Sequence, residues 1–386
     1  MRVRTIIGRS AAGLLILVLV LAAFGLGWRA ILQHRAARLI AIHSPAGVDE
    51  ASFVRIGGQD QWITVRGQDR AKPLLLILHG GPGDAESLNI LRFAYLEKDF
   101  VVAQWDQPGA GHTFGRAKGR IDPGLTIDKV AADGVEVADY LRHHLHQPKL
   151  VLLGHSWGSV IGVKMAKARP DLFYAYVGTG QVVDNRKDDV LAYNQVLAAA
   201  RARGNRQAVA ELVRSGAPPY SDYRQFLVAR KWAMAFESDG PSGMDDLAAL
   251  LVAPRARLAD VWNWMGGFMA SQAYFFHGRM DGPFMKVDLT TLGPDFAVPM
   301  FVFQGEEDNF TPASMAAAYV QWIHAPQKAF VTIKGAGHMA VTAHPVEFLG
   351  LLRRYVLPLT TGGWAMKSGA RAAGLLAQNR QRASTV

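Results

Sequence analysis

The sequence predicts an α/β fold: a mostly parallel sheet with helices on both faces, a helical cap inserted late in the chain, and an N-terminal transmembrane helix. Three observations carry this expectation. From Leu74 onward, short apolar runs alternate with helical patterns of about 10 to 20 residues, the signature of parallel strands joined by crossover helices. The alternation breaks between about 182 and 296, where helical, aromatic-rich sequence takes over. Ser10 to Trp28 holds no charged residue, and Leu14 to Leu21 is aliphatic throughout.

Residues 1–46 read as a membrane anchor and a short basic connector. At about 1.5 Å per residue, the uncharged stretch 10–28 just spans a bilayer core. A cleaved signal peptide is the competing reading, with Arg2 and Arg4 as its basic start and Ala22-Ala23 as small residues. Trp28-Arg29 comes next instead of a small-x-small cleavage site, which favours retention. A buried soluble helix is disfavoured because the stretch lacks a polar face. Arg2, Arg4 and Arg9 flank one side and Arg29, Arg35 and Arg38 the other, so flanking charge does not choose an orientation. The bulk of the chain is expected outside the cytoplasm, because short N-terminal anchors often translocate the domain attached to them.

The net charge is +10, and its position is more informative than its size. Six arginines in residues 1–42, with Lys367, Arg371, Arg380 and Arg382 near the other end, supply the whole excess. A nucleic-acid binder would carry its basic patch on the folded domain. Charge at the ends suits an anionic membrane surface or a plain solubilising tail instead. The chain has no cysteine, so disulfides and thiolate chemistry are excluded.

Two segments, 47–181 and 297–358, read as the two parts of the core. Phe53–Ile56 and Gln61–Val65 alternate around Gly57-Gly58 and read as a hairpin. Buried strands are expected at 74–78, 100–103, 150–153, 176–177, 300–303 and 330–333. Helices are expected at 85–96, 127–145, 159–169, 312–324 and 345–355. Residues 182–296 would form the cap, and 359–386 a basic mobile tail rich in Gly, Ala, Arg and Ser.

Gly154-His155-Ser156-Trp157-Gly158 follows a strand run and precedes a helix. A serine flanked by glycines at such a turn is a nucleophile elbow, its hydroxyl lifted over the sheet edge. A hydroxyl needs a base at neutral pH, and His338 follows the last predicted strand in a glycine-rich loop. The base needs a carboxylate to orient it. Asp308 follows the strand at 300–303, and Thr311 before Pro312 reads as the better N-cap, which frees Asp308 for that role. Glu306 and Glu307 are its rivals. Two backbone amides must stabilise a developing oxyanion; Trp157 is the first, and Gly81 in His79-Gly80-Gly81-Pro82-Gly83 the second, with Gly80 its alternative. Three histidines at a helix end (His143, His144 and His146) suit the helix dipole better than a metal. No phosphate loop, zinc spacing or dinucleotide loop is present, so no cofactor is expected.

His79–Gly83, Gly154–Gly158 and Trp105-Asp106-Gln107-Pro108-Gly109-Ala110-Gly111 together resemble the proline iminopeptidase branch of the α/β-hydrolases over roughly residues 50–357. Pro108 stands where that branch has arginine, and Thr113 where it has serine. The resemblance implies a serine hydrolase acting on a small molecule or short peptide through an acyl-enzyme. It also implies cap glutamates that bind a substrate amine. The nearest match here is Trp232 to Glu237, one residue longer than the branch's Trp-x-x-Trp-Glu segment, and Glu211 is the other glutamate in the cap. Aminopeptidase activity is the leading expectation. A carboxylesterase for small lipophilic esters is the alternative, and a non-catalytic membrane scaffold the remote one.

Overall fold

The computed structural model describes residues 2–239 and 248–361. Most of the basic tail, residues 362–386, lies outside them. A long helix, α1 (Arg2–Leu39), opens the chain. It contains an apolar span, Gly13–Leu39, long enough to cross a membrane, and none of its most apolar window is buried.

Among the described residues, eight strands form one sheet in the order β1-β2-β4-β3-β5-β6-β7-β8. β1 (Val48–Ile56) and β2 (Gln59–Gly67) make the predicted hairpin. Its two-residue turn places Gly57 and Gly58 at positive φ, the backbone a tight hairpin demands. β2 also runs antiparallel to β4 (Val101–Asp106). The remaining neighbours pair in parallel: β3 (Leu74–Leu78), β5 (Leu150–His155), β6 (Phe173–Thr179), β7 (Met300–Gly305) and β8 (Lys328–Ile333).

The central strands are apolar on both faces because both faces are covered. In β3, Leu74, Leu76 and Leu78 join one buried cluster while Leu75 and Ile77 join another. The first cluster includes α2 (Ile127–His144) and α3 (Trp157–Ala168). The second takes in Phe348 of a helix, Pro345–Leu351, close to the end of the described chain. The single helix expected over 85–96 is instead three short turns, 86–88, 90–93 and 94–96. Asn89, at φ −97° and ψ 30°, interrupts the run.

Between β6 and β7 the described residues are mostly helical. It contains α4 (Asn185–Ala202), α5 (Arg206–Ser215), α6 (Tyr223–Ala235) and α7 (Leu258–Phe276). Part of this segment has its own apolar cluster, including Tyr193, Leu212, Trp232 and Phe236.

The β5–α3 junction is tightly packed against β3. A Cβ at Gly158 would sit 2.0 Å from the Leu78 carbonyl oxygen, and one at Gly154 would sit 2.6 Å from the Gly158 carbonyl oxygen. Gly158→Ala is expected to destabilise the protein by about 1–3 kcal/mol through overpacking against backbone. Gly350→Ala, which meets nothing within 4 Å, should be neutral or slightly stabilising. Thermal melts of the two variants beside the parent check the contrast.

Candidate active site

Parallel strands all end on the same edge of a sheet, so the loops leaving β3, β5, β7 and β8 converge there. Each predicted site residue on the core leaves one of those ends. Ser156 is the single residue between β5 and α3, at φ 52° and ψ −119°. A non-glycine residue at positive φ is strained by roughly 1–3 kcal/mol. Its amide donates to the Thr179 carbonyl at 3.0 Å, which ties the turn to the end of β6. Ser156 lines a cavity of about 360 Å³ with Gly81, His155, Glu237 and His338.

His338 and Asp308 are paired and buried. His338 Nδ1 lies 3.1 Å and 3.0 Å from the two Asp308 oxygens. A carboxylate only accepts, so Nδ1 carries the proton and Nε2 is left as the basic nitrogen. Asp308 is held in turn by the amides of Phe310 and Thr311, the Thr311 hydroxyl and the Gln304 side chain. Burial alone would raise its pKa, but the charge and hydrogen bond of His338 and these amides hold it below the usual value. Burial works against the charged form of His338, but the adjacent Asp308 carboxylate, aided by Glu237, raises its pKa above the usual histidine value. The Thr311 N-cap expected from the sequence is corrected here. Pro312 occupies the cap position of the next helix without a side-chain bond, while Thr311 serves Asp308. Glu306 and Glu307, the rivals of Asp308, point elsewhere: they accept from Gly335 and Ser238.

The expected hydrogen bond from the Ser156 hydroxyl to His338 is not formed. No hydrogen bond at Ser156 Oγ occurs among the described residues. The two side chains face one cavity, and such bonds are often long without substrate.

The amide donors have their own support. Trp157 is the first residue of α3, so its N–H has no intrahelical acceptor. Its indole donates to the Gln107 side chain at 2.8 Å and packs on Phe275 and Phe284. The Gln107 amide donates to His79 Nε2, which leaves His79 Nδ1–H to donate to the Gly80 carbonyl. In a trans peptide N–H and C=O point oppositely. Gly81 N–H therefore turns away from His79, on a residue that lines the cavity. Gly81 has φ +108°, and a Cβ there would lie 2.7 Å from Gly83 N. Gly80 lies against the pivot: a Cβ there would come within 3.0 Å of His155 Nδ1 and 3.3 Å of Ser156 Cβ.

Glu237 is at the site and Trp232 is not. Glu237 is buried, and its two oxygens accept from the amides of Asn309 at 2.9 Å and His338 at 3.1 Å. One carboxylate thus grips both loops that carry the Asp308–His338 pair. Burial, with the negative charge of Asp308, pushes its pKa up to about 7. Trp232, expected beside the substrate, instead packs on Phe236 and donates its indole N–H to Glu211. The helical period turns it into the cluster between α4, α5 and α6. Glu211 is also engaged, by Lys231 and Gln207.

Arg230 and His155 are among the cavity residues that sequence reasoning missed. Arg230 pairs with Asp189 at 2.9 Å, lies over the Phe310 ring, and donates to the Phe310 carbonyl. His155 donates Nε2–H to the His338 carbonyl, and burial with the nearby His338 charge pushes its pKa down to about 3. Nothing local marks Arg230, since its partners lie far away in sequence. Thr113 clamps the sheet edge, donating to the Asp106 carbonyl and accepting from the Trp62 amide. Of the three clustered histidines, His144 pairs with Glu50 and His143 with Asp139.

The sequence profile of the alpha/beta hydrolase fold matches residues 73–345. The chain belongs to the α/β-hydrolase family. Within it, the chain is similar to the proline iminopeptidase-like branch. It is 28% identical over 307 residues to the probable aminopeptidase YbaC of Bacillus subtilis, covering 78% of this chain and 94% of that protein. It is 32% identical over 124 residues to a probable proline iminopeptidase of Streptomyces coelicolor, covering 32% of this chain and 37% of that one. The solved proline iminopeptidase of Mycobacterium smegmatis superposes on it with a TM-score of 0.57 at 19% identity, over 81% of this chain and 99% of that one, which is a likeness of fold.

Replacing Asp308 with Asn should reverse the balance at His338, because burial is then opposed only by more distant charges. The His338 imidazole should titrate above about 6.5 in the parent and below it in the variant. Imidazole nitrogen shifts followed by NMR across pH read both values.

Proposed function

We propose that this α/β-hydrolase is a membrane-anchored serine hydrolase that cleaves amide or ester bonds through an acyl-enzyme. In this reading residues 182–296 cap the site, and the catalytic domain lies outside the cytoplasm. The observation that carries the proposal is the placement of Ser156, strained at the end of β5, across one cavity from the buried His338–Asp308 pair. Ser156 Oγ attacks the substrate carbonyl as His338 Nε2 takes its proton. The oxyanion that forms is held by the Trp157 and Gly81 amides. Asp308 stabilises the imidazolium without taking the proton. The imidazolium then protonates the leaving amine or alkoxide, and His338 activates water to release the acyl group.

For the substrate, we favour a small molecule or short peptide with a free N-terminal amine, cleaved as by an aminopeptidase. Glu237 supports this reading. It is an acid buried in the cavity wall, its oxygens retain lone pairs beyond the two amides they accept, and an ammonium would draw it into the ionised form. The relatives named as aminopeptidases point the same way. The apolar lining (Leu227, Met234, Leu250, Trp264, Phe268 and Phe276) favours a second reading, a carboxylesterase for small lipophilic esters.

Ser156→Ala should lower hydrolysis of p-nitrophenyl acetate by about 10³-fold or more. Equal rates for parent and variant would remove the mechanism. Proline naphthylamide beside its N-acetyl derivative separates the substrate readings. N-acetylation should depress kcat/KM in the parent, and Glu237→Gln should narrow the difference. Fast cleavage of short acyl esters with no response to N-acetylation would establish the esterase.

A further inference from the structure

The outer face of α7 is apolar without interruption. Its exposed large residues are Leu258, Trp262, Met265 and Met269. They recur at intervals of four, three and four, so they form one stripe along the helix. Trp262 is 74% exposed and Met269 68%. The other exposed positions of this helix, Ala259 and Ala273, carry no polar group either, and Asp260 is the one charged residue in its 19. The opposite side is committed to the protein: Trp264 and Phe268 line the cavity, and Gly267, Ser271 and Phe275 are buried. A surface helix normally turns polar residues to water. An unbroken exposed apolar stripe marks a contact with something else.

The position of α1 says what that contact is. Arg29 is the first charged residue after the uncharged stretch 10–28, so in the anchored reading it sits where hydrocarbon gives way to headgroups. Its guanidinium donates to the carbonyls of Leu251 at 2.8 Å and Ala256 at 2.7 Å. One turn later Gln33 donates to Ala253 and Ala256, both at 2.8 Å. These four bonds bind the segment just before α7 to the membrane boundary of α1. Leu258 lies two residues beyond Ala256, so its Cα is within about 7 Å of a backbone bonded to that boundary. The headgroup layer on each side of a bilayer is itself roughly 5–8 Å thick. Tryptophan is enriched at that level, where a large amphipathic ring meets both phases. Arg257, next to the helix start, suits anionic headgroups, while Arg255 beside it is paired with Asp49 at 2.8 Å.

We propose that α7 lies in the membrane interface, with Leu258, Trp262, Met265 and Met269 inserted at the headgroup–acyl boundary of the bilayer that holds α1. One helix then separates lipid from the cavity, its outer stripe on the bilayer and Trp264 and Phe268 on the candidate site. The site is thereby set against the membrane surface, within reach of membrane-dissolved amphiphiles. The proposal rests on the reading of α1 as a membrane anchor.

The absence of cysteine makes the test direct. Single cysteines at Val18, Trp262 and Met269 in the full chain are labelled with nitroxide. Collision with oxygen and with a water-soluble nickel chelate is then measured in vesicles of phosphatidylethanolamine and phosphatidylglycerol. All three native side chains are exposed, so the substitutions spare the core, and a thermal melt of each variant confirms it. Oxygen accessibility should exceed nickel accessibility at 18, 262 and 269, and at the last two the ratio should reverse when the vesicles are replaced by a short-chain detergent diluted away from the domain. Lipid-like values at 18 with water-like values at 262 and 269 overturn the proposal and leave the anchor standing. Low accessibility to both reagents at 262 and 269 means a protein contact and also overturns it. Water-like values at 18 as well refute the anchor itself, and the proposal with it.

Discussion

The close approach of the β5–α3 turn to β3 is the constraint on which the rest of the site depends. Strand and helix can join through one residue only if the flanking chain has no side chains to clear. Gly158 packs its bare Cα onto the Leu78 carbonyl, and Gly154 leaves room for the first turn of α3. That packing holds Ser156 in a backbone conformation it would not adopt alone. It also brings the start of α3 beside the loop after β3. Gly81 therefore borders the same cavity as Ser156, the residue just before α3, although Gly81 belongs to a different crossover unit.

A second layer of interactions holds the loops around that turn. Gln107 joins the Trp157 indole to His79, and His79 orients the Gly80–Gly81 peptide. On the other side, Glu237 accepts from the amides of Asn309 and His338. The Asp308 and His338 loops are further tied by the Glu307 amide to the Ala336 carbonyl. Buried polar groups of this kind are costly unless every partner is present. The same burial explains the displaced pKa values: Glu237 and His155 are pushed toward their neutral forms, while the Asp308–His338 pair favours charge because each compensates the other.

The helical segment between β6 and β7 has divided loyalties. Part of it closes its own cluster around Trp232 and Phe236. Another part, α7, packs inward on the loops after β3 and β4, where Ser271 donates to the Gly109 carbonyl and Gln272 to the Pro82 carbonyl. Its outer face is left apolar beside the helix that carries the uncharged stretch. The segment just before α7 is hydrogen-bonded to α1 through Arg29 and Gln33, so the site and the N-terminal helix are mechanically linked.

Much of this was legible in the amino-acid order alone. The apolar runs of β3, β5 and β7 and the glycines around Ser156 declare themselves locally, because burial on two faces and a turn without room for Cβ each restrict residue type at fixed spacing. Asp308 and His338 were legible from their place after successive strands. Other features had no local signal. The break at Asn89, the service of Thr311 to Asp308 rather than to a helix, and the turning of Trp232 away from the cavity depend on partners many residues distant. So do the entry of Arg230 into the site and the grip of Glu237 on two loops. A side chain's type limits which bonds it can make. Which of those bonds form is set by packing between elements remote in sequence, and the unformed link between Ser156 and His338 is likewise a matter of distances that only the folded chain defines.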